Sequence, residues 1–193
     1  ELIFQLAILG QLVDQNHNDA PASVLIELAR KAAHESKAGA ERNPYSSTLI
    51  LGNQSGECPS GSAWTTLGEM GVISPRNVLS DDTEVSFLPM ASISTVYNAP
   101  LQPETRTWGE VKKGFTHLAD GDVAMAKITP CFQNGKTTVI QGLTNGYGAG
   151  TTELHVLRPY PNCLLPEYAV IFLRTPQFVV QGMSRMSGSA GQQ

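Results

Sequence analysis

Apolar residues near the start of the chain recur at Leu2, Leu6, Leu9 and Val13, the i, i+4, i+7, i+11 spacing of a helix, and Ile3, Phe4, Ile8 and Leu12 widen that face. So broad a face needs partners on more than one side. Polar, turn-forming residues fill 15–20. Pro21 then stands where a first helical turn tolerates proline, with Asp19 near enough to cap it. The spacing predicts a second helix over 22–34 that buries Val24, Leu25, Leu28 and Ala32. Together the two predict a helical hairpin or one bent long helix, packed within the globule or against a helix of another subunit.

Gly, Ser, Asn and Pro dominate 37–62, broken only by the apolar run 49–51, which is the composition of a linker. Beyond it the periodicity changes to that of short strands, at 63–67, 85–90, 122–129, 137–141 and 151–158. In the last of these Leu154 and Val156 share one face while Glu153 and His155 point the other way, as in a half-buried strand. Segment 108–118 reads as a short helix or an irregular loop that brings Lys112 and Lys113 together. Segments 167–173 and 177–186 read as two short helices divided by Pro176. The expected fold class is α/β of the α+β type, a twisted mixed sheet of short strands with small helices behind the N-terminal helical element. The expected organisation is a helical segment over 1–36, a linker over 37–62 and a strand-rich domain over 63–193. The tail 187–193 ends in a loop without a capping element, so the chain reads as cut from a longer one.

Composition narrows the chemistry. A formal charge of −4 and a pI near 5.5 exclude a protein that coats nucleic acid indiscriminately, so any contact with a polyanion must come from a local patch. Cys58, Cys131 and Cys163 are widely spaced without a Cys-x-x-Cys pair, which points to neither a disulfide framework nor a zinc cluster and favours a reducing, cytoplasmic setting. The apolar start lacks the basic residues of a signal peptide and turns polar after Leu12, far short of a membrane span. Asn53-Gln54-Ser55 matches a glycosylation sequon, by chance in a chain without secretory features.

Familiar catalytic patterns fail on inspection. Gly135-Lys136-Thr137 is like the end of a phosphate-binding loop, but Pro130 occupies the position of the required earlier glycine. Pro130-Cys131 lacks the second cysteine of a zinc deaminase. Gly182-Met183-Ser184-Arg185-Met186 lacks the second glycine of a nucleophile elbow. His17, His34, His117 and His155 are scattered and read as surface or structural histidines, while Asp81, Asp82 and Glu84 read as solvated turn residues. Catalysis has no visible home, and no metal or cofactor site is expected in the chain.

Three stretches carry a resemblance. They are Gly-Asp-Val-Ala-Met-Ala-Lys-Ile-Thr-Pro-Cys-Phe-Gln-Asn-Gly-Lys-Thr-Thr over 121–138, Gly-Tyr-Gly-Ala-Gly-Thr-Thr-Glu-Leu-His-Val-Leu-Arg-Pro over 146–159, and Met-Ser-Gly-Ser-Ala-Gly-Gln-Gln over 186–193. With a Pro-Glu-Tyr helix start at Pro166, and with 64–68, 75–77 and 105–115 before them, they resemble a target recognition domain of the specificity subunit of type I restriction–modification enzymes. Residues 6–13 and 18–23 resemble the helical segment that precedes such domains. The resemblance implies a non-catalytic reader of double-stranded DNA. It would recognise one half of a split site and direct methylation and cleavage by partner modification and restriction subunits. S-adenosylmethionine would sit on the modification subunit, not here. The helical segment would set spacing, dimerise or dock those subunits, with Leu2, Leu6, Leu9 and Val13 as interface residues. One recognition domain where such subunits usually carry two implies a fragment, or a half-size subunit that forms a homodimer.

Residue types agree with that implication. Lys112, Lys113, Lys127, Lys136 and Arg185 are candidates for phosphate contacts, with Thr129, Thr137, Gly150, Thr151 and Ser189 adding hydroxyls and amides. Arg76, Asn77, Arg106, Gln133 and Asn134 have the paired hydrogen-bonding groups that base discrimination needs. Two other readings stand beside this one: a helical scaffold that binds protein without DNA specificity, and a phosphate-handling enzyme built on 135–137.

Overall fold

The computed structural model describes residues 2–16, 18–36 and 59–188. Most of the expected linker, the sequon, His17, Cys58 and Ser189 lie outside the described residues. The helices are α1 (Leu2–Ile8), α2 (Ala22–Glu35), α3 (Leu67–Met70), α4 (Trp108–Val111), α5 (Pro166–Leu173) and α6 (Pro176–Met183). The strands are β1 (Gly71–Ile73), β2 (Glu84–Leu88), β3 (Glu104–Thr107), β4 (Thr116–Ala119), β5 (Val123–Ala126), β6 (Thr137–Val139), β7 (Tyr147–Gly150) and β8 (Leu154–Pro159). They form two four-stranded sheets, not one. The order β1-β8-β5-β6 is antiparallel throughout, and β3-β2-β7-β4 is mixed because β2 and β7 run parallel.

The two sheets close on a shared interior. Leu88 and Leu118 of one sheet meet Ala124, Leu154 and Val156 of the other, with Ile93, Ile140 and Leu143 filling in from the connections. Strand alternation sends the opposite residues outward, and helices cover them on both sides. Trp108 and Val111 of α4 pack on Val85 and Ala149. Ala169, Val170 and Leu173 of α5 pack on Val123 and Leu157. β8 is therefore covered on both faces, so His155, expected to face water, is half-buried. Between the sheets Asp122, fully buried, accepts from Arg158 Nε and Nη2 at 2.7 and 2.8 Å and from the Ala119 N–H at 2.7 Å. That ion pair joins β8 of one sheet to the end of β4 in the other.

Several local expectations are corrected. The strand expected over 63–67 gives way to α3, because Thr66 and Glu69 form a capping box, and Thr107 with Glu110 repeats the device at α4. Both boxes are written in the sequence as Thr-x-x-Glu. α1 does not reach Val13: Gly10, at φ +64°, lets the Gln11 N–H return to the Leu6 carbonyl at 2.8 Å, a left-handed stop. The periodicity continued past a backbone that had already turned. α1 packs near α5 and α2 against α3, so the two helices make neither a hairpin nor one bent helix. Asp19 accepts from Asn16 and does not cap α2, whose N-cap is Pro21.

α2 also buries a different face. Ile26 and Ala29 enter a cluster with Met70, Tyr160 and Cys163, while Val24, Leu25 and Leu28 stay exposed. Helical spacing marks an apolar face of residues 22–35 but does not say which edge of it the rest of the chain will cover.

His117 shows how the interior fixes a protonation state. Its Nδ1 accepts the Asn77 N–H at 3.0 Å and its Nε2 lies 3.0 Å from the Lys112 carbonyl, so the neutral ring with the proton on Nε2 satisfies both. Burial, then the nearby Arg76 and Arg158, hold its pKa below the ordinary 6.5. A histidine depressed in the fold contributes stability that is complete above its unfolded value and lost as pH falls below it. The urea midpoint is accordingly expected to be lower at about pH 5.5 than at about pH 7.5, and the difference should shrink in His117→Phe. Equal pH sensitivity in that variant would remove His117 from the account.

Candidate nucleic-acid interface

Strand direction decides which connections meet. β2 ends beside the end of β7, with Leu88 opposite Gly150, and β4 begins there, with Thr116 opposite the same glycine. In the other sheet Ala126 at the end of β5 lies opposite Leu154 at the start of β8. One end of the sandwich thus gathers the connections 89–103, 112–115, 127–136 and 151–153. Across all of them there is one carboxylate, Glu153, against Lys112, Lys113, Lys127 and Lys136. Asp81, Asp82, Glu84, Glu110, Asp120 and Asp122 lie toward the opposite end, before β2, after β3 and between β4 and β5. A chain of net charge −4 therefore presents a cationic end and an anionic end.

The four lysines are not equivalent. Lys112 reaches toward the acidic end, where its ammonium meets both oxygens of Asp81 at 2.6 and 2.7 Å. Lys136 donates to the Met90 carbonyl at 3.1 Å and fastens 89–103 to the β5–β6 connection. Lys113 is exposed and Lys127 half-buried beside His155, whose pKa is lowered by burial and then by the lysine charge. Arg174 extends the cationic zone from the end of α5, donating to the carbonyls of Thr137 (3.3 Å) and Thr95.

The 127–136 connection is not a phosphate cradle. Its amides turn inward: Phe132 to Ile128, Asn134 to Pro130, Gly135 to Phe132 and Lys136 to Cys131, at 2.9 to 3.1 Å. Phe132 is buried, and a Cβ on Gly182 of α6 would collide with its ring, so the turn is fixed against that helix. A nucleotide loop needs those N–H groups pointing outward, and here they are spent. What remains outward is Gln133 and Asn134, both exposed.

Other expected contacts fall in three places. Arg76, Arg106, Arg185, Lys113 and Asn134 are exposed, and Thr129 and Thr151 are half-buried at the cationic end. Arg106 is held on β3 by Glu104 at 2.7 Å and lies over the Phe87 ring. Asn77, Thr137 and Gly150 are interior and so are corrected as surface contacts. Asn77 is only 8% exposed and donates from Nδ2 to the Leu118 carbonyl at 2.8 Å, sealing the free edge of β4. Thr137 is buried in β6. A Cβ on Gly150 would sit 3.1 Å from Leu154 Cδ1, so this glycine serves sheet packing. Of the expected interface residues, Leu2, Leu9 and Val13 are exposed and Leu6 is half-buried. Sequence reasoning passes over the connection 89–103, whose signal is an unbroken run without a charged residue. Among the described residues no three His, Cys, Asp or Glu gather as a metal would require, and no helix is long and apolar enough to cross a membrane.

No protein-family model matches the chain. It is 44% identical over 195 aligned residues to the type I restriction enzyme EcoEI specificity subunit of Escherichia coli, and equally to the EcoAI specificity subunit of the same organism. Each alignment covers 100% of this chain and 33% of the relative, so the chain spans about a third of the length of these relatives. Among solved structures it is similar to an HsdS subunit from Thermoanaerobacter tengcongensis, with TM-score 0.46 and 17% identity over 88% of this chain and 37% of that one. It is also similar to a chain from a structure addressing complex assembly and conformational transition of the type I R-M system, with TM-score 0.47 and 18% identity over 85% and 38%.

Proposed function

We infer that this chain, aligned from end to end with one third of two type I restriction enzyme specificity subunits, is a target recognition segment of such a subunit and reads double-stranded DNA. The observation that carries the reading is the separation of charge. Lys113, Lys127 and Lys136 share one end of the sandwich with Glu153 and with Glu104, the latter already paired with Arg106, while Asp81, Asp82, Glu84, Glu110, Asp120 and Asp122 are held toward the other end. A duplex approached by the cationic end meets favourable phosphate contacts, and the acidic remainder opposes indiscriminate coating.

On this reading the chain recognises one half of a split site and is not itself the catalyst. Methyl transfer and cleavage fall to modification and restriction subunits, with S-adenosylmethionine bound by the former. The exposed Leu2, Leu9, Val13, Val24, Leu25 and Leu28 supply an apolar surface for subunit docking or for a second recognition domain.

Salt dependence of duplex binding tests this directly. Lys127→Ala is expected to lower the slope of log K against log salt by about 1. Lys112→Ala, whose ammonium is occupied by Asp81, should leave the slope unchanged. Binding by the wild-type protein that does not respond to salt would remove the DNA-reading assignment.

A further inference from the structure

We propose that the connection 89–103 between β2 and β3 is the base-reading element of this domain, with Asn98 and Gln102 as its discriminating side chains. The inference rests on the DNA-reading assignment and deepens it. Phosphate contacts need cations, whereas telling one base edge from another needs paired donors and acceptors on neutral groups. The connection has that composition: Ser92, Ser94, Thr95, Asn98 and Gln102, and no charged residue. It lies at the cationic end, so lysines on the neighbouring connections can hold the backbone while it meets the bases.

Its conformation is set before any ligand arrives. Ile93 is fully buried in the core between the sheets, with Met90 and Leu101 packed beside it. The Ser92 hydroxyl donates to the Gln102 carbonyl at 2.7 Å and closes the segment on itself. Lys136 and Arg174 hold it from below through the carbonyls of Met90 and Thr95, and the Phe4 ring lies 5.7 Å from that of Tyr97. A segment fixed at so many points loses little further entropy on binding. Its outer part stays on the surface, with Val96 67% exposed and Asn98 and Gln102 both exposed. Asn98 has φ +56°, a left-handed conformation that asparagine tolerates. Gln102 and Lys136 line the same open groove of about 460 Å³, so an amide and a cation face one space.

A primary amide offers one donor and one acceptor side by side, the pattern that matches N6–H and N7 of adenine in the major groove. Asn98 and Gln102 are therefore assigned to A·T pairs at two positions of the half-site. The test is selection from a randomised duplex library by the full-length protein carrying this chain, in wild-type form and as Asn98→Gly, Gln102→Leu and Gln102→Glu. Glycine keeps the left-handed backbone, and thermal melting checks that each variant folds. The wild type should enrich a motif, and each amide deletion should cost about tenfold or more in preference at one A·T position while the salt slope stays unchanged. Gln102→Glu should move its position toward cytosine, whose N4 donates to a carboxylate. Folded variants that enrich the wild-type motif with undiminished preference would overturn the inference and leave DNA reading intact. A wild type that binds duplex but enriches no motif would overturn the sequence-reading assignment and this inference together.

Discussion

Asp122→Ala is expected to lower the free energy of unfolding by about 3 kcal/mol, near the lower end of the cost of stripping one partner from a buried ion pair. Asp122 is fully buried and meets three N–H groups, two from Arg158 and one from Ala119. Burial pushes its carboxyl up, against the downward pull of the guanidinium and the backbone amide. Removing the carboxylate orphans the Arg158 charge and the Ala119 N–H together. The Arg158 side chain is 31% exposed and recovers some hydration, which is why the expected loss is not larger. For a domain whose total stability is of order 5–15 kcal/mol this is a large share. Urea unfolding measures it. A loss below about 1 kcal/mol would mean that the two sheets do not depend on this pair.

Lys113→Glu combined with Lys127→Glu is expected to weaken duplex binding on the order of 100-fold at low salt, because two phosphate contacts become two repulsions. Neither lysine takes part in an ion pair seen among the described residues, so the melting temperature should hold. The deficit should narrow as salt rises and screening shortens the reach of both charges. Asp81→Asn with Asp82→Asn alters the charge by as much as neutralising both lysines, but toward the opposite end, and should move affinity by only a few fold. Because the aspartate pair changes the charge by half as much and in the opposite sense, a gain in affinity of about tenfold or more from it would mean that net charge, and not its placement, governs binding.

The pH, salt-slope and library measurements sort the remaining roles. Lys112, Lys113, Lys127 and Lys136 look alike along the chain. Their environments separate one that pairs with Asp81, one that fastens 89–103 and two left as candidate phosphate contacts.

Elements defined by local chemistry were legible in the sequence. α5 and α6 begin at prolines that suit a first helical turn, β5 and β6 fall inside the runs that predicted them, and β2 and β8 overrun theirs by one residue each. The ordered motifs over 121–159, the helix start at Pro166 and the tail beyond Met186 were enough to point to type I specificity subunits. The two capping boxes were equally readable, being four-residue signals. β7 and β3 were not. β7 is Tyr-Gly-Ala-Gly, a poor strand former, and becomes a strand because β2 and β4 flank it from far away in the chain. β3 is exposed along its length and owes its state to pairing with β2.

What the sequence determined by itself was what neighbours in the chain decide: turn positions, helix starts, alternation, and a family resemblance carried by motif order. Only the tertiary structure decided which side of α2 is buried, since Ile26 and Ala29 were chosen by Met70, Tyr160 and Cys163 from distant segments. It also decided that Asn77 seals a strand edge from the inside, and that strand directions bring the lysine-bearing connections to one end and the carboxylates around 81–84, 110 and 120–122 toward the other. Burial and long-range electrostatics depend on distances through space, and those are set only when the sheets close on their common core.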